Sequence, residues 1–130
     1  MKSLFFVAVA FLMSANAFAD GRMVWSCSEN GYAEAVTITA QFPLSGEYPY
    51  LMTINDPAIY SALGFNTAFQ SPAQTSSNGF RAIQGEYYPG VDFQLQSGGV
   101  KLVKIQSTET GIQTYQNLNW WFNPGECIQQ

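Results

Sequence analysis

The chain has 130 residues, 47% hydrophobic, 15% aromatic and only 11% charged, and it carries a formal charge of −4 with no histidine. An acidic balance makes nucleic acid and anionic lipid surfaces poor partners. Without histidine there is no Ser-His-Asp or Cys-His catalysis, no His-ligated zinc and no ordinary switch near neutral pH. No glycine-rich phosphate loop or other nucleotide fingerprint occurs, so neither a cofactor nor a metal is expected.

The N-terminus reads as an export signal. Lys2 supplies the positive region, Leu4 to Met13 is an almost unbroken apolar run, and Ala17-Phe18-Ala19 offers small residues to a signal peptidase. Cleavage is expected between Ala19 and Asp20. The apolar run is shorter than the roughly 20 residues a spanning helix needs, so the mature chain has no transmembrane segment. The signal is of bacterial type, and the expected product is a single exported β-domain, residues 20–130, periplasmic or secreted. Losing Lys2 leaves four basic residues against nine acidic ones, a formal charge of −5.

Cys27 and Cys127 stand near the two ends of this mature chain. Export places them where disulfides persist, and a bond between them is the natural pairing. The absence of a Cys-x-x-Cys spacing argues against a redox or metal pair.

In chain order, residues 22–28 form the first expected strand, and Asn30-Gly31 turns it into a second. There Val36, Ile38, Ala40 and Phe42 alternate with Thr37, Thr39 and Gln41, the period-2 pattern of a half-buried strand. Turn residues at Pro43 to Gly46 lead to a strand at 50–55. Asp56 then caps a helix of at most two turns, with Pro57 in its first turn, Ile59 and Leu63 on one edge and Gly64 at its end. A strand at 65–70 is followed by Ser71 to Asn78, polar and without period, which is expected to be a mobile loop. Strands follow at 79–88, 91–96, 100–107 and 113–122, separated by Tyr88-Pro89-Gly90, Ser97-Gly98-Gly99 and Glu109 to Gly111, with Asn123-Pro124-Gly125 after the last. In 91–96, Val91, Phe93 and Leu95 point inward while Asp92, Gln94 and Gln96 point outward. Lys101 and Lys104 cannot share a strand face, and apolar residues surround both, so this strand carries a bulge or is covered on two sides.

About eight short strands, tight turns and one short helix specify an all-β fold. The expected form is a small antiparallel up-and-down β-barrel, with a β-sandwich as the alternative, closed by one disulfide. Closure would pair the first strand with the last. Polar faces opposite the apolar rows argue against a membrane barrel.

Catalysis would have to rest on carboxylates, and no spacing singles out a pair among Glu34, Glu47, Asp56, Glu86, Asp92, Glu109 and Glu126. Asn55 and Asp56 lack the ligand-dense loop that calcium requires. The aromatic residues are more informative. Leu118, Trp120 and Phe122 share one strand face and are expected in the core, and Trp25 is expected to pack on the disulfide. Trp121 shares the opposite face with Asn117 and Asn119, an exposed indole flanked by amides, which marks an interaction surface. Tyr87, Tyr88, Tyr48 and Tyr50 are turn-proximal aromatics of the same kind. The leading expectation is a non-catalytic exported β-domain that binds an extracytoplasmic protein or carbohydrate. An acidic, disulfide-closed domain also suits inhibition of a secreted basic hydrolase. The alternatives are a carboxylate-dependent hydrolase and a structural envelope component; the oligomeric state is open.

Overall fold

The computed structural model describes residues 21–42, 44–83, 88–107 and 113–130. The expected leader with its Ala19–Asp20 junction, Tyr87, Glu86 and Glu109 lie outside the described residues. Nine strands follow in chain order: β1 (Arg22–Glu29), β2 (Tyr32–Ala40), β3 (Tyr50–Ile54), β4 (Phe69–Ser76), β5 (Gly79–Ile83), β6 (Gly90–Gln96), β7 (Gly99–Ser107), β8 (Gln113–Phe122) and β9 (Cys127–Gln129). The short helix α1 (Pro57–Ala62) joins β3 to β4.

β1 to β8 form an antiparallel meander, each strand bonded to the next, while β9 pairs with the other side of β1. The first and last strands of the chain are thus neighbours, but β8 and β9 are the two edges of the sheet, so the expected closed barrel is an open half-barrel. Rings on strands far apart in the ladder meet: Trp25 on β1 lies 5.7 Å from Phe93 on β6. Such contact is possible only because the nine-stranded sheet curls into a half-barrel. Trp120 on β8 donates from Nε1 to Glu29 Oε2 at the end of β1, 2.9 Å away, so a side chain also links the two ends of the meander.

Strand alternation directs one face inward. Cys27, Val36, Ile38, Met52, Ile54, Phe69, Val91, Phe93, Leu102 and Phe122 are fully buried there. Helix α1 forms as its sequence dictates: Asp56 Oδ1 accepts the Ala58 N–H at 2.9 Å, and Ile59 and Leu63 insert into the core. The Asn30-Gly31 turn has positive φ at both residues, 54° and 78°, the backbone that a tight hairpin demands. At Gly99 the backbones approach so closely that a Cβ would stand 1.9 Å from the Phe122 carbonyl oxygen.

Several expectations are corrected. Ser71 to Ser76 is not a mobile loop but most of β4, and only Ser77 and Asn78 form the turn. Its inward residues Ser71 and Ala73 are small, so no apolar alternation announces them. The small Ala73 side chain, paired with Tyr50 and Ala82, leaves room for Tyr50 to meet Phe80 edge-on at 5.1 Å. Pro72 is tolerated because the β4–β5 pairs begin only at Ala73. The strand expected at 79–88 is described only as Gly79–Ile83. Phe42 lies beyond β2 and is 39% exposed rather than inward. Leu118 is 38% exposed rather than core, because the β7–β8 register shifts between Val103 and Ile105. Asp92 and Thr37, expected on solvated faces, are buried. The puzzle of Lys101 and Lys104 resolves both ways: the β7–β8 ladder is irregular opposite Lys104, and Leu102, Val103 and Ile105 are buried on the two faces. No described helix is long and apolar enough to cross a membrane.

Cys27 and Cys127 face each other in the β1–β9 ladder and form the expected disulfide, with a sequence separation of 100. Cross-linking a loop of that size restricts the unfolded chain by roughly 4–5 kcal/mol in the chain-entropy treatment. Replacing both with alanine is expected to lower the urea midpoint by a corresponding amount. An unchanged midpoint would show that the β1–β9 hydrogen bonds hold the closure unaided.

Candidate binding site

The face of β5 to β8 that points away from the core carries polar side chains in cross-strand rows. The first row is Gln94, Lys101 and Trp121, each directly opposite the next. The second runs Arg81, Asp92, Val103 and Asn119. Ile105 and Tyr115 form the third. Side chains directly opposite on neighbouring strands have Cβ atoms roughly 5 Å apart, close enough to act on one ligand.

Between the first and third rows lies a cleft of about 310 Å³, lined by Gln94, Lys101, Val103, Tyr115, Gln116, Asn117 and Asn119. Its origin is the irregularity in β8. From Val103 to Ile105, β7 advances two positions while β8 advances four, from Asn119 back to Tyr115. The two extra residues leave the ladder and draw β8 away from the Val103 floor, and because their number is even, Tyr115 and Asn119 stay on the same face. Trp121 stands at the rim, 40% exposed. Its indole lies along the β6–β7 turn, where a Cβ added to Gly98 would come 3.2 Å from Cζ2.

The second row is held by an ion pair whose carboxylate is buried and whose guanidinium is partly exposed. Arg81 Nε donates to Asp92 Oδ1 at 2.7 Å and Nη2 to Oδ2 at 3.0 Å, a bidentate geometry. Arg81 also donates from Nη1 to Gln113 Oε1 and from Nη2 to the Tyr115 hydroxyl at 3.2 Å. Asp92 is only 2% exposed, so its charge is viable there only with this cation. The carboxylate also raises the Arg81 pKa, against the opposing effect of burial. Tyr115 is raised above its ordinary value as well, first by the neighbouring Asp92 carboxylate, then by burial, with Arg81 partly offsetting them.

Of the residues singled out from sequence, Asn117 and Asn119 line the cleft and Trp121 borders it. Tyr88 does not join them: it lies two residues before β6, 65% exposed, and is absent from the cleft wall. Tyr50 faces the core against Phe80. Trp25 meets Phe93, and with Cys127 it lines a separate, more apolar recess of about 280 Å³ inside the sheet. Gln94, Lys101, Tyr115 and Gln116 were not foreseen as a group. Gln94 and Lys101 were legible as polar positions between apolar rows, but the β8 irregularity that gathers Tyr115 and Gln116 has no pattern of its own.

Three of the seven carboxylates weighed for catalysis have structural partners: Asp92 holds Arg81, Asp56 caps α1, and Glu126 accepts the Asn123 N–H at 2.6 Å. Among the described residues no group of three or more His, Cys, Asp or Glu is placed to hold a metal ion. No protein-family model, curated protein or solved structure matches the chain.

Because Asp92 favours the neutral phenol, the Tyr115 contribution to stability is complete below the ordinary tyrosine value near 10 and is lost as pH rises through the higher folded value. Ultraviolet titration of the protein against its Tyr115→Phe variant should show this phenol ionising above pH 10. Asp92→Asn is expected to bring the ionisation down; a phenol that titrates at its ordinary value in the unaltered protein contradicts the assignment.

Proposed function

We propose that this is a non-catalytic binding domain that works outside the cytoplasm and takes a carbohydrate on the outer face of β6 to β8. The observation that carries the proposal is the row Gln94, Lys101 and Trp121 beside Asn119, an exposed indole with amides and an amine held on adjacent strands. A sugar ring presents a C–H face that stacks on an aromatic ring, while its hydroxyls both donate and accept hydrogen bonds. Amide side chains match those hydroxyls because each has a carbonyl acceptor and an NH₂ donor. Strand-borne side chains are also pre-organised, which lowers the ordering cost of binding.

The structural engagement of Asp56, Asp92 and Glu126 supports binding rather than carboxylate-dependent hydrolysis. The export signal and the Cys27–Cys127 bond support an oxidising compartment, periplasmic or extracellular.

Calorimetry with a panel of soluble oligosaccharides tests the reading. Trp121→Ala should weaken binding by tenfold or more while leaving the thermal unfolding transition near that of the unaltered protein, since this ring contributes an exposed face rather than core. Gly98→Ala, which presses a methyl group towards Cζ2, is expected to cost a smaller, several-fold loss and to shift the indole fluorescence. Full affinity in a folded Trp121→Ala variant would sink the proposal.

A further inference from the structure

We infer that the site prefers acidic sugars, with Lys101 pairing to a carboxylate carried by the ring that stacks on Trp121. This rests on the carbohydrate reading of the same face and names the ligand class within it.

Four cations stand in the described strands of this sheet; Arg22, at the start of β1, is exposed, and of the other three two are occupied. Arg81 is held by Asp92, Gln113 and Tyr115. Lys104 points to the other face, where its Nζ lies 4.9 Å from the centroid of the Phe65 ring. Lys101 has no ion-pair or hydrogen-bond partner among the described residues, yet it is half-buried in the cleft wall. The nearest acid on this face, Asp92, already has both carboxylate oxygens bonded to Arg81 and does not compete for the amine. With no partner among the described residues, the amine is available to an anion delivered by the ligand.

Position fixes which anion suits. Lys101 is directly opposite Trp121 across the β7–β8 ladder. A charged substituent on a ligand ring stacked on the indole would lie beside the amine, and the exocyclic carboxylate of a uronic acid is such a group. Gln94, on the other side of Lys101, can donate to the same carboxylate or to a neighbouring hydroxyl.

The test compares short oligogalacturonides with their methyl esters, which keep the ring and hydroxyls and lose the charge, and with neutral galacto-oligosaccharides. The acid form should bind about tenfold more tightly than the ester, in line with one charge-assisted hydrogen bond, and the advantage should shrink as salt is raised. Lys101→Gln should abolish the advantage, bringing acid and ester to the same affinity, and Lys101→Arg should retain most of it. Equal binding of acid and ester, or an advantage that survives Lys101→Gln, would overturn the acidic-sugar inference and leave the carbohydrate reading standing. Failure of every oligosaccharide to bind the folded protein would overturn both.

Discussion

The structure depends on how its last strands cross from one end of the sheet to the other. A meander of eight strands ends on β8, and alternation along it makes β8 run antiparallel to β1. β9 is also antiparallel to β1, so β8 and β9 run in the same direction, joined only by residues 123–126. In that short step the chain leaves β7 and arrives beside β1. The step is fixed at each stage: Glu126 accepts the Asn123 N–H, its own N–H donates to the Asn123 carbonyl, and its carbonyl accepts from Ser28. The disulfide then locks Cys127 to Cys27, and Gln130 N–H donates to the Val24 carbonyl beyond it. Without this crossing, a long edge at each end of the sheet would lack a covalent tie.

That closure also determines where the two adjacent tryptophans go. Strand alternation requires Trp120 and Trp121 to point to opposite faces. Trp120 is drawn inward, where its indole N–H is satisfied by Glu29 across the curl. Trp121 must therefore face outward, opposite Lys101 and against the β6–β7 turn. The inner face is filled by Phe69, Phe93 and Phe122, with Trp25 packed among them. Recognition by polar rows accordingly falls on the outer face, where the Arg81–Asp92 pair ties β5 to β6 and reaches Gln113 and Tyr115 on β8.

How much of this was legible in the sequence followed from how strongly each segment alternates. β2, β6 and the helix were readable because large apolar residues recur at the right spacing and turn residues bracket them. The disulfide was readable from the expected export and from the position of two cysteines. β4 was missed because its inward positions are Ser71 and Ala73, whose smallness is set by the neighbouring rings and not by any local preference. β9 was missed because a strand of three residues has no period to detect. Asp92 looked like a solvated outward charge; its burial comes from Arg81 on another strand, which no local pattern records. Likewise Trp121 and its amides could be placed on one face, but their gathering with Lys101 and Tyr115 depends on register and on the β8 irregularity.

Charge on the domain as a whole and charge in the cleft act over different distances. The chain is acidic and repels a polyanion from afar, whereas Lys101 acts only at contact. At physiological ionic strength the Debye length is about 8 Å, so the distant acids are largely screened while a half-buried amine against a carboxylate is not. For a glycan on this face, the pairing would be decided by the local geometry of Lys101 rather than by the screened net charge. Lys101 would take the carboxylate of an acidic ring, Trp121 its ring face, and Asn117 and Asn119 the hydroxyls alongside.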